Sequence, residues 1–234
     1  MTALVTVGGE QVDTLLTPSN GDRLGVARTD GDATLAVTDA TAWVLVEGGE
    51  GSLRLGDTTV DVRWRKDVFA EPGWSAIVGR DDELAIEGDL ATTVVWRASD
   101  RDTRSRVIDP ATVAEEARGE GTTARRVRTY VAEGELIVGE TLNPPGGWSS
   151  WPPHRHEHEE VYLYRFEPAH GFGVHVGYDE DDGDRPVIVR DGSIERITKG
   201  WHPVVAAPGF TMYYLWALAG DADTVDTQLD PRFA

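Results

Sequence analysis

Three of the six histidines of the chain fall in one short run, Trp151-Pro152-Pro153-His154-Arg155-His156-Glu157-His158-Glu159-Glu160, and His170, His175 and His202 follow it. Imidazole and carboxylate together are the donor set that a borderline divalent metal selects. The spacing adds geometry. His154 and His156 are two apart, so on an extended strand both rings project from one face, and Glu160 keeps that parity if the chain stays extended. His-x-His-x3-Glu running into Val161-Tyr162-Leu163-Tyr164 therefore predicts metal ligands on the inner wall of a β-barrel. His202 is the fourth ligand candidate. It follows the strand-like Ile194-Glu195-Arg196-Ile197-Thr198 and a glycine turn, and it opens the apolar Val204-Val205-Ala206-Ala207. Three histidines and one glutamate would leave an octahedral or five-coordinate ion with room for water or substrate.

The surrounding residues divide by parity and polarity. His158 shares the parity of the ligand pair, but it sits in the polar middle of the run and is expected behind the ligands or in solvent. Glu157 and Glu159 are expected to face solvent, with Glu159 the alternative ligand if the strand begins one residue late. His170 reads as an exposed turn residue. His175 lies on the strand-like Phe172-Gly173-Val174-His175-Val176, either turned toward substrate or bonded to backbone in the core. Glu140 stands on the apolar run Leu136-Ile137-Val138-Gly139-Glu140-Thr141-Leu142. A carboxylate there is costly unless paired or functional, which makes it a general-base candidate or an edge carboxylate in water. Tyr162 and Tyr164 keep the parity of Glu160 and should point inward, where a phenol can donate to a substrate oxygen. Arg165 is their neighbour. Trp148 shapes the pocket or caps the start of the strand. Tyr213-Tyr214-Leu215-Trp216 reads as core and pocket wall.

The elements that must position these groups are β-rich. Thr34–Val37, Ala42–Val46, Ser52–Leu55, Thr92–Trp96 and Leu136–Val138 are short apolar runs separated by Gly, Asp and Pro, the pattern of a sandwich or barrel. Glu47-Gly48-Gly49-Glu50-Gly51 reads as a hairpin turn. One helix is expected, capped by Asp109, with Pro110 at its first position, Ala111–Arg118 as its body and Gly119 at its end. The chain thus divides into an N-terminal β-barrel over residues 1–105, a helical linker over 106–119 and a metal-binding barrel over 120–234. No histidine precedes His154, so the first unit cannot hold an imidazole-bound metal by itself.

Composition narrows the class. Hydrophobic residues make up 40% of the 234, enough for a core, and no apolar run approaches a membrane span. The N-terminus has neither the basic nor the apolar stretch of a leader. Cysteine is absent, which excludes disulfides and thiolate chemistry and is compatible with a cytoplasmic setting. A net charge of -19 argues against nucleic acid and anionic lipid as partners.

Four segments together resemble the 5-deoxyglucuronate isomerase family of myo-inositol catabolism. They are Gly139-Glu140, the string Ser149-Ser150-Trp151-Pro152-Pro153-His154-Arg155-His156 with Glu160-Val161-Tyr162-Leu163-Tyr164-Arg165-Phe166, Gly200-Trp201-His202-Pro203 through Phe210, and Tyr213-Tyr214-Leu215-Trp216 through Gly220. The resemblance is dense from about Arg125 to Gly220. It implies an all-β bicupin, two β-barrel (jelly-roll) units per chain, and a homo-oligomer. It implies an aldose-ketose isomerase converting 5-deoxy-D-glucuronate to 2-deoxy-5-keto-D-gluconate. It also implies that His154, His156, Glu160 and His202 hold the ion, zinc first, with Mn, Fe, Co or Ni as other occupants. The family usually carries glutamine where this chain has His175, and the chain is shorter than most members.

On that reading an acidic sugar is the substrate. A base, Glu140 or water at the ion, moves a proton between adjacent carbons, and the cation stabilises the enediolate. Tyr162, Tyr164, Arg165 and His175 position the sugar, and Arg125 is a further candidate for its carboxylate. The alternatives are an isomerase of another uronate such as 5-keto-4-deoxyuronate, a cupin oxygenase, and a non-catalytic sugar-binding protein.

Overall fold

The computed structural model describes residues 4–18, 22–181 and 183–233. The first three residues, part of the stretch read above as free of a leader, lie outside it. The chain divides into two units, Met1–Val113 and Ala114–Ala234. No described helix is long and apolar enough to cross a membrane.

The first unit holds β1 (Leu4–Leu16), β2 (Leu24–Thr38), β3 (Ala40–Leu55), β4 (Thr58–Arg65), β5 (Ser75–Val78), β6 (Glu83–Ala98) and β7 (Arg106–Ile108). They form one antiparallel sheet in the order β1-β2-β6-β3-β5-β7, with β4 on β3. Its core gathers Leu35, Val44, Val46, Leu53, Ile86 and Val94. The glycine-rich segment expected as a hairpin turn is instead the middle of β3, which bulges between Val46 and Gly48 and between Gly49 and Gly51. Glycine is required there for contact rather than for turning. Gly49 has φ +95, and a Cβ on it would stand 1.8 Å from the carbonyl oxygen of Asp89.

The expected linker helix is also replaced. Asp109 does cap, accepting from the amide of Ala111, but the helix is a single 3-10 turn over Pro110–Thr112. Residues Glu115–Arg118 form β8, paired with β9 (Arg125–Val131), and β7 already belongs to the first unit's sheet. The stretch 110–118 has no apolar stripe for a helix to bury, so the backbone bonds offered by a neighbouring strand prevail over propensity.

The second unit continues with β10 (Leu136–Asn143), β11 (Trp148–Ser149), β12 (His154–Arg155), β13 (Glu159–Glu167), β14 (Phe172–Asp179), β15 (Gly183–Arg190), β16 (Ile194–Ile197), β17 (Val204–Ala206), β18 (Thr211–Ala219) and β19 (Gln228–Leu229). One sheet runs β16-β13-β18-β10-β9-β8, a second β11-β17-β14-β15, and β12 pairs with β19. Between the two larger sheets lies a core of Tyr164, Phe166 and Met212 from one side and Val189, Val204 and Ala206 from the other. This is the sandwich of a jelly roll.

Candidate metal centre and active-site cavity

His154 sits on β12, His156 follows it directly, Glu160 is the second residue of β13, and His202 precedes β17. Two separated stretches of chain thus converge. The ring of His202 lies 4.7 Å from that of His154 and 5.1 Å from that of His156, centroid to centroid. One nitrogen from each of the three rings can be chosen so that all lie within 4.8 Å of one another. An Oε2 of Glu160 stands 3.2 Å from Nε2 of His156 and 3.3 Å from Nε2 of His202. The loop before His202 depends on Gly200, whose φ is +80 and whose missing Cβ leaves room for the carbonyl oxygen of Tyr178.

Backbone carbonyls set the tautomers. Nδ1 of His156 donates to the carbonyl of His158 at 2.9 Å, and Nδ1 of His202 donates to that of Gly200 at 3.1 Å. Each bond turns Nε2 inward, the orientation that a metal-binding imidazole requires. Nε2 of His202 is buried and has no hydrogen-bond partner of acceptable geometry, despite its proximity to Glu160. A buried polar atom left so, aimed at two more imidazoles and a carboxylate, fits a divalent cation. The electrostatics agree. Burial, then the nearby His202, lowers the pKa of His154 to about 4, so its ring is neutral near pH 7. Burial alone would raise Glu160, but the hydrogen bond from His156 and the closeness of His202 outweigh it and hold the carboxyl well below its usual range. His156 is raised because Glu160 outweighs its burial.

A cavity of about 350 Å³ opens at this cluster, with His154, His156, Glu160 and Tyr162 in its wall. Arg125, Ser150, Thr141, Tyr214 and Trp216 complete much of the rest. Ser149 and Ser150 both reach the interior, which consecutive strand residues cannot ordinarily do. Ser150 has φ +52, and this left-handed step lets Ser149 bond the hydroxyl of Tyr214 at 2.7 Å while Ser150 bonds that of Tyr162 at 2.9 Å. Burial raises the pKa of Tyr162 well above its ordinary value, so its phenol keeps its proton.

Of the expected site residues, the structure brings His154, His156, Glu160, His202, Tyr162 and Arg125 together. The others lie elsewhere. Glu140 is fully buried on the face of β10 opposite Thr141, away from the cavity. Its carboxylate accepts from Tyr213 at 2.9 Å, Tyr130 at 3.0 Å and Arg128 at 3.3 Å, so it is a paired core carboxylate rather than a base. Arg165 projects from the opposite face of β13 to Glu160 and pairs with Asp191 at 3.4 Å. Tyr164 and His175 share a 2.8 Å hydrogen bond inside the sandwich, and burial, then His202, lowers the His175 pKa to about 4. Trp148 packs edge-on against Trp151, outside the cavity lining. Glu159, expected in solvent, is buried beside Arg196. His158 is buried and donates to the carbonyl of Ala222 at 3.2 Å. His170 is exposed, as its turn predicts. Sequence reasoning missed Arg118, Val225 and Thr227 in the cavity wall. Arg118 becomes visible once its register with Arg125 is known, whereas Val225 and Thr227 lie in a polar tail with no local signal.

The KduI/IolB family model matches residues 23–234. A 5-deoxy-glucuronate isomerase from Geobacillus kaustophilus is 35% identical over 184 residues, 71% of this chain and 67% of that enzyme. An IolB-like protein from Salmonella typhimurium superposes with a TM-score of 0.86 at 24% identity, covering 97% of this chain and 98% of its own. A cupin 2 conserved barrel domain protein from Leptotrichia buccalis gives 0.54 at 14% identity, with 91% of each chain covered. The chain belongs to the KduI/IolB family and is an isomerase on a cupin frame.

Proposed function

We propose that this isomerase interconverts 5-deoxy-D-glucuronate and 2-deoxy-5-keto-D-gluconate in inositol catabolism, with a divalent cation, zinc first, at His154, His156, Glu160 and His202. The convergence of three imidazoles and one ionised carboxylate beside a cavity carries this reading, and the names of the relatives supply the substrate. When bound, such a cation supplies Lewis-acid stabilisation for the negative charge that develops as a proton leaves the carbon beside a carbonyl. The residues of the chain do the rest. Tyr162 donates its retained proton to a sugar oxygen. Arg125 offers a planar fork to the carboxylate. Glu160 is the one carboxylate among the described residues of the cavity wall and is committed to the cation, so moving the proton between adjacent carbons falls to water admitted there. A cytoplasmic, self-associating enzyme is part of the same reading.

The test replaces His154 and His156 with alanine and measures bound metal by elemental analysis and ketose formation from the uronate. Loss of both is expected; full activity without metal sinks the scheme. Turnover of 5-keto-4-deoxyuronate in preference, or oxygen consumption by an iron-loaded sample, would move the assignment to another uronate or to an oxygenase.

A further inference from the structure

We propose that Arg118 and Arg125 act as a pair that captures the substrate carboxylate and thereby restricts the enzyme to acidic sugars. The proposal rests on the uronate reading above. Both arginines line the cavity that holds His154, His156 and Glu160. They stand directly opposite each other in the antiparallel register of β8 and β9. Alternation puts both on the face that also shows Val127 and Thr129 to the cavity. Like charges directly across a ladder repel, and an anion seated between two guanidiniums reverses that cost.

On the opposite face of the same strands both arginines meet carboxylates, whereas on the cavity face Arg118 meets Glu116 and Arg125 meets only a carbonyl. On that opposite face Arg126 and Arg128 both meet Glu115, and Arg128 also meets Glu140. On the cavity face, Arg118 is held through Nε and Nη2 by one oxygen of Glu116, at 3.1 and 2.7 Å, and Arg125 donates through Nη1 to the carbonyl of Thr123 at 3.0 Å. These contacts fix the two guanidiniums, while Nη1 of Arg118 and Nη2 of Arg125 donate to no described residue. Glu116 balances one of the two charges, and Glu160, the one carboxylate among the described residues of the wall, is engaged by His156 and His202, so the pair keeps a net positive charge toward the cavity. In a uronate the carboxylate lies at the other end of the carbon chain from the aldehyde. Its anchor must therefore be separate from the groups that hold the reacting carbonyl, and a chain of net charge -19 needs a local cationic anchor to hold an anion at all.

The experiment compares wild type, Arg118→Gln, Arg118→Lys and Arg125→Gln, all metal-loaded. The substrates are 5-deoxy-D-glucuronate and its neutral counterpart, 5-deoxy-D-glucose. Calorimetric binding of the uronate is measured alongside kinetics. Arg118→Gln should lower the kcat/KM ratio of uronate over neutral sugar about 10- to 100-fold, chiefly through KM, with bound metal retained. Arg118→Lys should recover part of it, because an ammonium keeps the charge but not the fork. Arg118 is exposed, so these substitutions spare the core. An unchanged ratio, or equal losses on both sugars, overturns the pair. If wild type binds but does not turn over the uronate, the assigned reaction fails separately. Weaker uronate binding by Arg118→Gln would then still support the pair, and equal binding would overturn it.

Discussion

At the scale of the residue, the cluster depends on which nitrogen of each ring carries hydrogen. The carbonyls of His158 and Gly200 decide this for His156 and His202, so backbone geometry one or two residues away tunes the donor set. Replacing His202 with glutamine should weaken zinc binding by more than the roughly 10- to 100-fold typical of losing an outer-shell partner, read by competition with a chromogenic chelator. Glu140 offers the opposite case. Its ring of donors is buried, and removing the carboxylate leaves Arg128 without one of its two acidic partners. Glu140→Ala should cost about 3 kcal/mol in urea unfolding, as breaking a buried ion pair does, while the folded fraction keeps its turnover. A collapse of kcat with unchanged stability would return Glu140 to the chemistry.

At the scale of the element, the ligand strand β12 is only two residues long, and its ladder partner is β19 near the end of the chain. Several contacts fasten that partner. The amide of Asp230 donates to the carbonyl of Pro153 at 2.8 Å, Tyr178 donates to Asp230 at 2.8 Å, and Phe233 packs on Trp151. Removing residues 228–234 should therefore loosen His154, lowering metal affinity about 10-fold or more while leaving most of the sandwich folded. Titration calorimetry with zinc, paired with circular dichroism, checks both halves. The same lesson holds for the 110–118 stretch, where a short strand formed in place of a helix because β9 offered a ladder.

At the scale of the whole molecule, the labour is divided. The first unit has an apolar core and no histidine, and every ligand candidate comes from the second. Binding an ion at that one centre should stabilise the folded second unit, by about 2.7 kcal/mol when free zinc is 100 times its Kd. Chelation should thus lower the melting temperature and abolish isomerisation together, and zinc should restore both. Restoration of stability without activity would assign the centre a purely structural role.

The amino-acid sequence alone offered the candidate donors. His-x-His-x3-Glu and the glycine turn before His202 are local patterns, but the chain leaves the strand after Arg155, bends at Glu157 and His158 and re-enters one at Glu159, so the convergence of His154, His156 and Glu160 comes from the bend between β12 and β13 and not from the two-residue period of one strand. Within β13 that period does turn Arg165 away from Glu160, a consequence that spacing alone already contained. Only the tertiary structure decided which face of β10 looks into the cavity, and hence that Glu140 is a paired core carboxylate and Thr141 a wall residue. It alone set Arg118 opposite Arg125 and carried Val225 and Thr227 to the cavity. The physical reason is register. Shifting a strand by one residue exchanges its two faces, and register is set by pairing between segments far apart in the chain.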